Sequence, residues 1–143
     1  MTRRKKCSFS LCSVWILVVF FSLAGVGLVK ADEKSTKRSA ADIEAGKKIF
    51  QAKGCNACHT IGQGTLSGPD LKGVLERRSK SWLLSWLKDP DAAFAKKDPI
   101  AMEMLGKFFT KMPNLALSDD EIGKVLSYID ETSKESLKKE KKK

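Results

Sequence analysis

Apolar positions along this chain recur at spacings of three and four, the pattern of helices with one buried face, and strand-like alternation is nowhere convincing. Four segments carry the pattern. The first opens at Ser39, where Asp42 three positions on completes a capping pair. It sets Ile43, Gly46, Ile49 and Phe50 on one face before Gly54 supplies a left-handed stop. A second follows Ser79, with Trp82, Leu83, Trp86 and Leu87 at helical spacing, and is expected to end before Pro90. Asp98-Pro99, a cap followed by an N1 proline, starts a third that carries Ile100, Met104, Leu105 and Phe108. The fourth opens on Ser118-Asp119-Asp120-Glu121, a capping box with acids at the positive helix end, and its stripe is Ile122, Val125, Leu126 and Ile129. Past Thr132 that stripe thins to Leu137, so the lysine-rich tail, residues 132–143, is expected to be a solvated or fraying extension. Thr60 to Gly68 is short-chained and glycine-rich and reads as a loop. The fold class predicted is all-α.

The N-terminus follows a different pattern. Arg3, Arg4, Lys5 and Lys6 precede residues 7–29, which carry no charge. Val29 and Ala31 are small residues at the positions a signal peptidase reads, so residues 1–31 are expected to be a signal peptide, with the mature chain starting at Asp32. A weaker site follows Ser22-Leu23-Ala24. The alternative is an uncleaved N-terminal anchor, since the uncharged run is long enough for a hydrocarbon core that needs about 20 residues. Either way the remainder is exported, to the periplasm or the outer face of the cytoplasmic membrane. Residues 32–38 then form a linker and residues 39–131 one small domain.

The formal net charge of +10 suggests nucleic acid until it is divided along the chain. Residues 1–31 hold five basic residues and no acids, residues 32–38 three against two, and residues 132–143 six against two. Residues 39–131 hold thirteen of each and are neutral, and a neutral domain with one basic tail is a poor nucleic-acid binder, which needs a clustered basic face. Within this domain the charges are segregated. Lys72 to Lys111 holds nine basic and five acidic residues, whereas Asp119 to Glu131 holds one and five, so the domain is polarised toward a charged partner.

The candidate chemistry sits at Cys55-Asn-Ala-Cys58-His59, a C-x-x-C-H motif of the c-type haem attachment kind. Two thiols on one turn can each form a thioether to a porphyrin vinyl group, and the following histidine is delivered beneath the ring. A structural zinc site needs about four ligands, and Cys55, Cys58 and His59 supply three. A thioredoxin-like C-x-x-C belongs beside a βαβ pattern, which the chain lacks. The other two cysteines, Cys7 and Cys12, fall in the N-terminal segment, so the mature chain keeps only the motif pair.

His59 is the only histidine, which excludes bis-histidine ligation within one chain. A thioether is the soft ligand available for the opposite side of the iron. Met102 and Met104 lie in an amphipathic helix, where packing is the simpler role. Met112 lies in Lys111-Met112-Pro113-Asn114, an irregular segment stiffened by proline, and is the expected sixth ligand, with an open iron position as the alternative.

Together these features resemble the class I monohaem cytochromes c, small exported bacterial electron carriers. The resemblance runs from Ser39 to about Glu131. It rests on Gly46 and Phe50, the Cys55–His59 motif, Gly68-Pro69-Asp70-Leu71, Met112-Pro113 and Tyr128. It implies four or so helices wrapped around one covalently attached haem c. It also implies that Gly46 lets the first and last helices cross closely, with Phe50 and Tyr128 packed at the crossing. The Pro69 carbonyl would accept the Nδ1–H of His59, and Arg77, Arg78 and Trp82 are candidates for the haem propionates, with core packing the alternative for Trp82.

The function implied is outer-sphere transfer of single electrons between respiratory complexes, not enzymatic turnover. Expected partners are a respiratory donor and a terminal reductase or oxidase, docking weakly and through acidic surfaces. No nucleic acid is expected, and membrane contact only if residues 7–29 are retained. The alternatives are a haem enzyme or gas sensor with an open iron, or a fixed cytochrome subunit of a terminal oxidase or reductase. For the lysine-rich tail, a solubilising role is expected ahead of docking.

Overall fold

The capping signals fall where helices begin. A computed structural model of the chain describes residues 39–142. Helix α1 spans Ala40–Ala52 and α2 is one turn, Val74–Arg77. Then follow α3 (Lys80–Lys88), α4 (Pro90–Ala95), α5 (Pro99–Phe108) and α6 (Asp119–Glu140). A turn of 3₁₀ helix at Cys55–Ala57 lies between α1 and the Thr60–Gly68 loop. No strand occurs among the described residues, so the chain is all-α. The expected signal peptide or anchor and the linker lie outside the described residues. Within them, no helix is long and apolar enough to cross a membrane.

Both predicted capping boxes form. Ser39 accepts from the Asp42 backbone N–H at 3.0 Å, and Ser118 accepts from that of Glu121 at 3.2 Å, each with the reciprocal bond in place. Two of these N–H groups, which a helix start otherwise leaves without partners, are thereby satisfied.

Four helices were expected and six α-helices are present among the described residues. Pro90 does not merely stop α3. It stands at N1 of α4, with the Asp89 side chain accepting from Ala92 N–H at 3.1 Å, while the Asp89 N–H still donates to Ser85 in α3. The Asp-Pro pair at 89–90 thus carries the same cap-plus-N1-proline signal as 98–99, which the pattern of apolar spacing obscured. Helix α6 also runs further than its apolar stripe suggests, through Thr132 to Glu140. Ser133, deep in the stretch expected to fray, is 2% exposed.

The crossing of α1 and α6 organises the domain. Gly46 lies so close to α6 that a Cβ there would stand 2.0 Å from the Lys124 carbonyl oxygen, so only glycine permits the approach. Phe50 meets Tyr128 edge-on at 5.5 Å, as the resemblance implied. Phe50, Val125 and Ile129 form one buried cluster, against which Cys55 also packs. Leu83, Leu117, Ile122 and Leu126 form a second that ties α3 to α6. Full burial of Ile122, Val125 or a comparable side chain contributes about 1.5–3 kcal/mol.

Candidate functional site

The turn that ends α1 delivers the motif. Gly54 adopts φ +72°, the left-handed conformation predicted for it, and the chain reverses into the 3₁₀ turn. Cys58 and His59 N–H groups both donate to the Cys55 carbonyl, at 3.3 and 3.0 Å, which gathers the three motif side chains on one side of the turn. All three line a cavity of about 630 Å³, within the usual range for cofactor sites. Its walls are mainly apolar, including Phe50, Leu83, Trp86, Val125, Leu126 and Ile129. Burial pushes the Cys55 thiol up from its ordinary pKa, with the Cys55 backbone hydrogen bond acting in the opposite direction. A neutral thiol in an apolar wall is already in the charge state of the thioether that would replace it.

His59 is oriented by the loop that follows. Its Nδ1 lies 2.8 Å from the Pro69 carbonyl oxygen, the contact the resemblance implied. A carbonyl only accepts, so the proton sits on Nδ1 and the Nε2 lone pair is left for a metal. Gly68 backs the ring: a Cβ there would stand 2.6 Å from His59 Cε1 and 2.9 Å from Nδ1. The Gly68 N–H donates to the Cys58 carbonyl at 2.9 Å, which locks loop and motif together.

Asp70 holds that loop in shape. One carboxylate oxygen accepts from the Gly62 and Lys72 N–H groups, each at 2.8 Å, and the other from Gly64 at 2.7 Å. Partial burial raises the Asp70 pKa, but these backbone donors together with Thr60 outweigh it and hold the carboxyl below its ordinary value.

Two thioethers also line the cavity. Met112 lines the cavity from the irregular segment between α5 and α6, and Met104 lines it from α5. Met102 is 43% exposed and is not part of the wall. Met104 therefore does not simply fill the core. The Met112 segment is tethered on two sides. Lys53 Nζ donates to the Leu115 carbonyl at 3.2 Å, and Asn114 reaches Asp89 at 3.4 Å while accepting from Ala116 N–H at 2.9 Å. Buried Leu117 anchors the segment's end in the core.

Arg77, Arg78 and Trp82 all line the cavity, each with a protein partner. Arg77 donates to the carbonyls of Lys72 and Asp70, the latter at 3.1 Å. Arg78 lies 3.9 Å from Glu103. The Trp82 indole N–H donates to Asp98, 3.3 Å from both carboxylate oxygens. Asp98 also caps α5, and the Ala101 N–H bond, the largest influence, helps hold its carboxyl below the ordinary range. Trp82 stacks on Trp86 at 5.3 Å, and Trp86 meets Phe94 edge-on at 5.5 Å. Six basic residues and two acidic ones, Asp70 and Glu103, line the cavity, so its polar border is positive.

The residues fit a covalently held porphyrin. Two thiols, a tautomer-fixed imidazole, two thioethers and a set of apolar side chains line one cavity. Sequence reasoning missed Met104 as a wall residue and Lys53 as the tether of the Met112 segment. Met104 had a signal in its place on the apolar face of α5. Lys53 had none, because its partner lies 62 residues away.

Comparison with known proteins agrees with this geometry. The family model described as Cytochrome c matches residues 43–133. A cytochrome c from Rhodothermus marinus superposes with a TM-score of 0.65 at 24% identity, covering 76% of this chain and 91% of that one. The cytochrome c domain of a Pseudomonas putida protein is 40% identical over 62% of this chain and 88% of that domain, with a TM-score of 0.55. No curated protein matches the chain. The chain belongs to the cytochrome c family: a monohaem, class I c-type cytochrome whose cofactor is covalently bound haem c. Its function is that of a haem-based electron carrier.

Proposed function

We propose that this cytochrome carries single electrons between respiratory complexes outside the cytoplasm, with its iron ligated by His59 and Met112. The observation that carries the ligand assignment is the pairing across one cavity of a histidine fixed through Pro69 and a thioether on a tethered, non-helical segment. When bound, haem c supplies a one-electron couple. Cys55 and Cys58 would hold it by thioethers, and Nε2 of His59 and the sulfur of Met112 would complete the iron's ligand set. A thioether opposite histidine favours the ferrous state and raises the potential. With His59 and Met112 both holding the iron, no place would remain on it for a substrate, and the protein's part would be binding, orientation and tuning.

The basic cavity border, with Lys53, Lys72, Lys107 and Lys111 among its residues, suits weak docking to acidic surfaces of redox partners. Export rests on the basic, then uncharged, N-terminal sequence.

Optical spectra of the matured protein, with and without carbon monoxide, test the ligand set. A low-spin spectrum with the weak far-red ferric band of thioether ligation, indifferent to carbon monoxide, is expected. Met112→Ala should lower the reduction potential and admit carbon monoxide, whereas Met104→Ala should leave the far-red band in place. Loss of that band in Met104→Ala alone would transfer the ligand role to Met104. A native protein that binds carbon monoxide would mean an open iron position and a haem enzyme or gas sensor.

A further inference from the structure

The loop that orients His59 is itself gripped by the end of α6. The family match stops at residue 133, yet α6 continues to Glu140, and from Ser133 onward the helix touches the His59 loop at three points. Ser133 Oγ accepts from the Gly73 N–H at 3.2 Å while donating to the Ile129 carbonyl at 2.7 Å. Gly62 packs against Ser136 so closely that a Cβ would stand 2.4 Å from Ser136 Oγ. Lys72 Nζ pairs with Glu140.

These contacts converge on one residue. Gly62 and Lys72 both donate backbone N–H groups to the Asp70 carboxylate, and Gly73 follows Lys72 in the chain. Asp70 follows Pro69, whose carbonyl binds His59 Nδ1. A path of hydrogen bonds and adjacent backbone links therefore runs from the end of α6 through Asp70 and Pro69 to the imidazole.

We propose that Ser133–Glu140 is a clasp that positions His59 through the loop of residues 60–73. These are positioning residues, since none of them lines the cavity. The sequence showed only a lysine-rich end, but Ser133, Ser136 and Glu140 lie at spacings of three and four and so share one helix face. That face meets the loop, while Lys138 and Lys139 are exposed. The clasp rests on His59 as the iron ligand, and its test separates the two claims.

The test uses the ferric holoprotein, full-length except in the truncated variant, observed by proton NMR, in which a ligating histidine has ring resonances shifted by the iron. Ser133→Ala removes one hydroxyl at nearly constant volume. A chain ending at Ser136 removes Glu140. Lys138→Gln/Lys139→Gln is the control on the exposed face. In both clasp variants the His59 ring resonances should move and the Nδ1 proton should exchange about tenfold faster, as a local opening that has become easier. The control should do neither. If both clasp variants lose thermal stability while the His59 resonances and exchange rate stay as in wild type, the extension only thickens the fold and the proposal is overturned. If the truncated chain fails to mature, Ser133→Ala decides alone by the same readout. Absence of any iron-shifted histidine ring in the wild type would remove the ligand assignment, and the clasp with it.

Discussion

Replacing Gly68 with alanine puts a single methyl group against the His59 ring, and its consequences can be worked from the structure. Gly68 does not adopt a positive φ, so alanine fits the backbone and the effect is steric. Less freedom in the unfolded chain would by itself stabilise the variant by about 0.4–1 kcal/mol. Against this, the new Cβ would lie 2.6 Å from His59 Cε1, where ordinary contact begins near 3.4 Å, so the ring must retreat by about 0.8 Å. It cannot do so freely, because the Cys58 carbonyl lies 3.1 Å from the same Cβ and blocks the backbone from sharing the movement. Overpacking of this kind costs about 1–3 kcal/mol. The Nδ1 to Pro69 bond, 2.8 Å in the native protein, would be strained or lost, for about a further 1 kcal/mol.

The net expectation is a destabilisation of about 1–3 kcal/mol, or a fall in Tm of roughly 5–20 °C for a domain of this size. Thermal melts measure the effect. A Tm at or above that of the wild type would refute the claim that Gly68 backs the ring.

Other perturbations separate the remaining contributions. Gly46→Ala sets a Cβ 2.0 Å from a backbone carbonyl, so the roughly 1 kcal/mol gain in helix propensity should be outweighed and urea unfolding should shift to lower midpoints. An unchanged midpoint would mean that α1 and α6 do not meet so closely. Asp70→Asn removes an acceptor from loop N–H groups and should lower stability at neutral pH. Because the folded pKa of Asp70 lies below its unfolded value, the carboxylate's contribution is present above about pH 4 and is lost as pH falls through the folded pKa. The wild-type and variant Tm curves should therefore converge in acid, and parallel curves would contradict this. Trp82→Phe should lower Tm and let the Asp98 pKa rise toward its ordinary value, with the reduction potential little changed. A large change in potential would instead place Trp82 on a haem propionate.

What the sequence determined by itself is what depends on near neighbours. Cys55, Cys58 and His59 share one turn, so their spacing alone pointed to the attachment chemistry. Ser39, Asp98 and Ser118 announced helix starts because a cap needs partners only two or three residues away. The Pro69 contact to His59 was legible through the family resemblance, and the proposed role of Met112 was read from its position in a break between helices. Tertiary structure decided what depends on segments meeting across the fold. Met104 faces the cavity because α5 packs where it does, which no spacing within α5 states. Trp82 bonds Asp98, sixteen residues on, because α3 and the start of α5 are brought together by α4, the helix that Pro90 starts. The end of α6 looked solvated because half of residues 132–143 are lysine. Its loop-facing side consists of buried Ser133, partly buried Ser136 and exposed Glu140, and the hydrogen-bond partners of Ser133 and Glu140 lie some sixty residues earlier in the chain. Hydropathy carries no trace of such a face, since partner geometry, not side-chain polarity alone, decides whether a polar group can be buried.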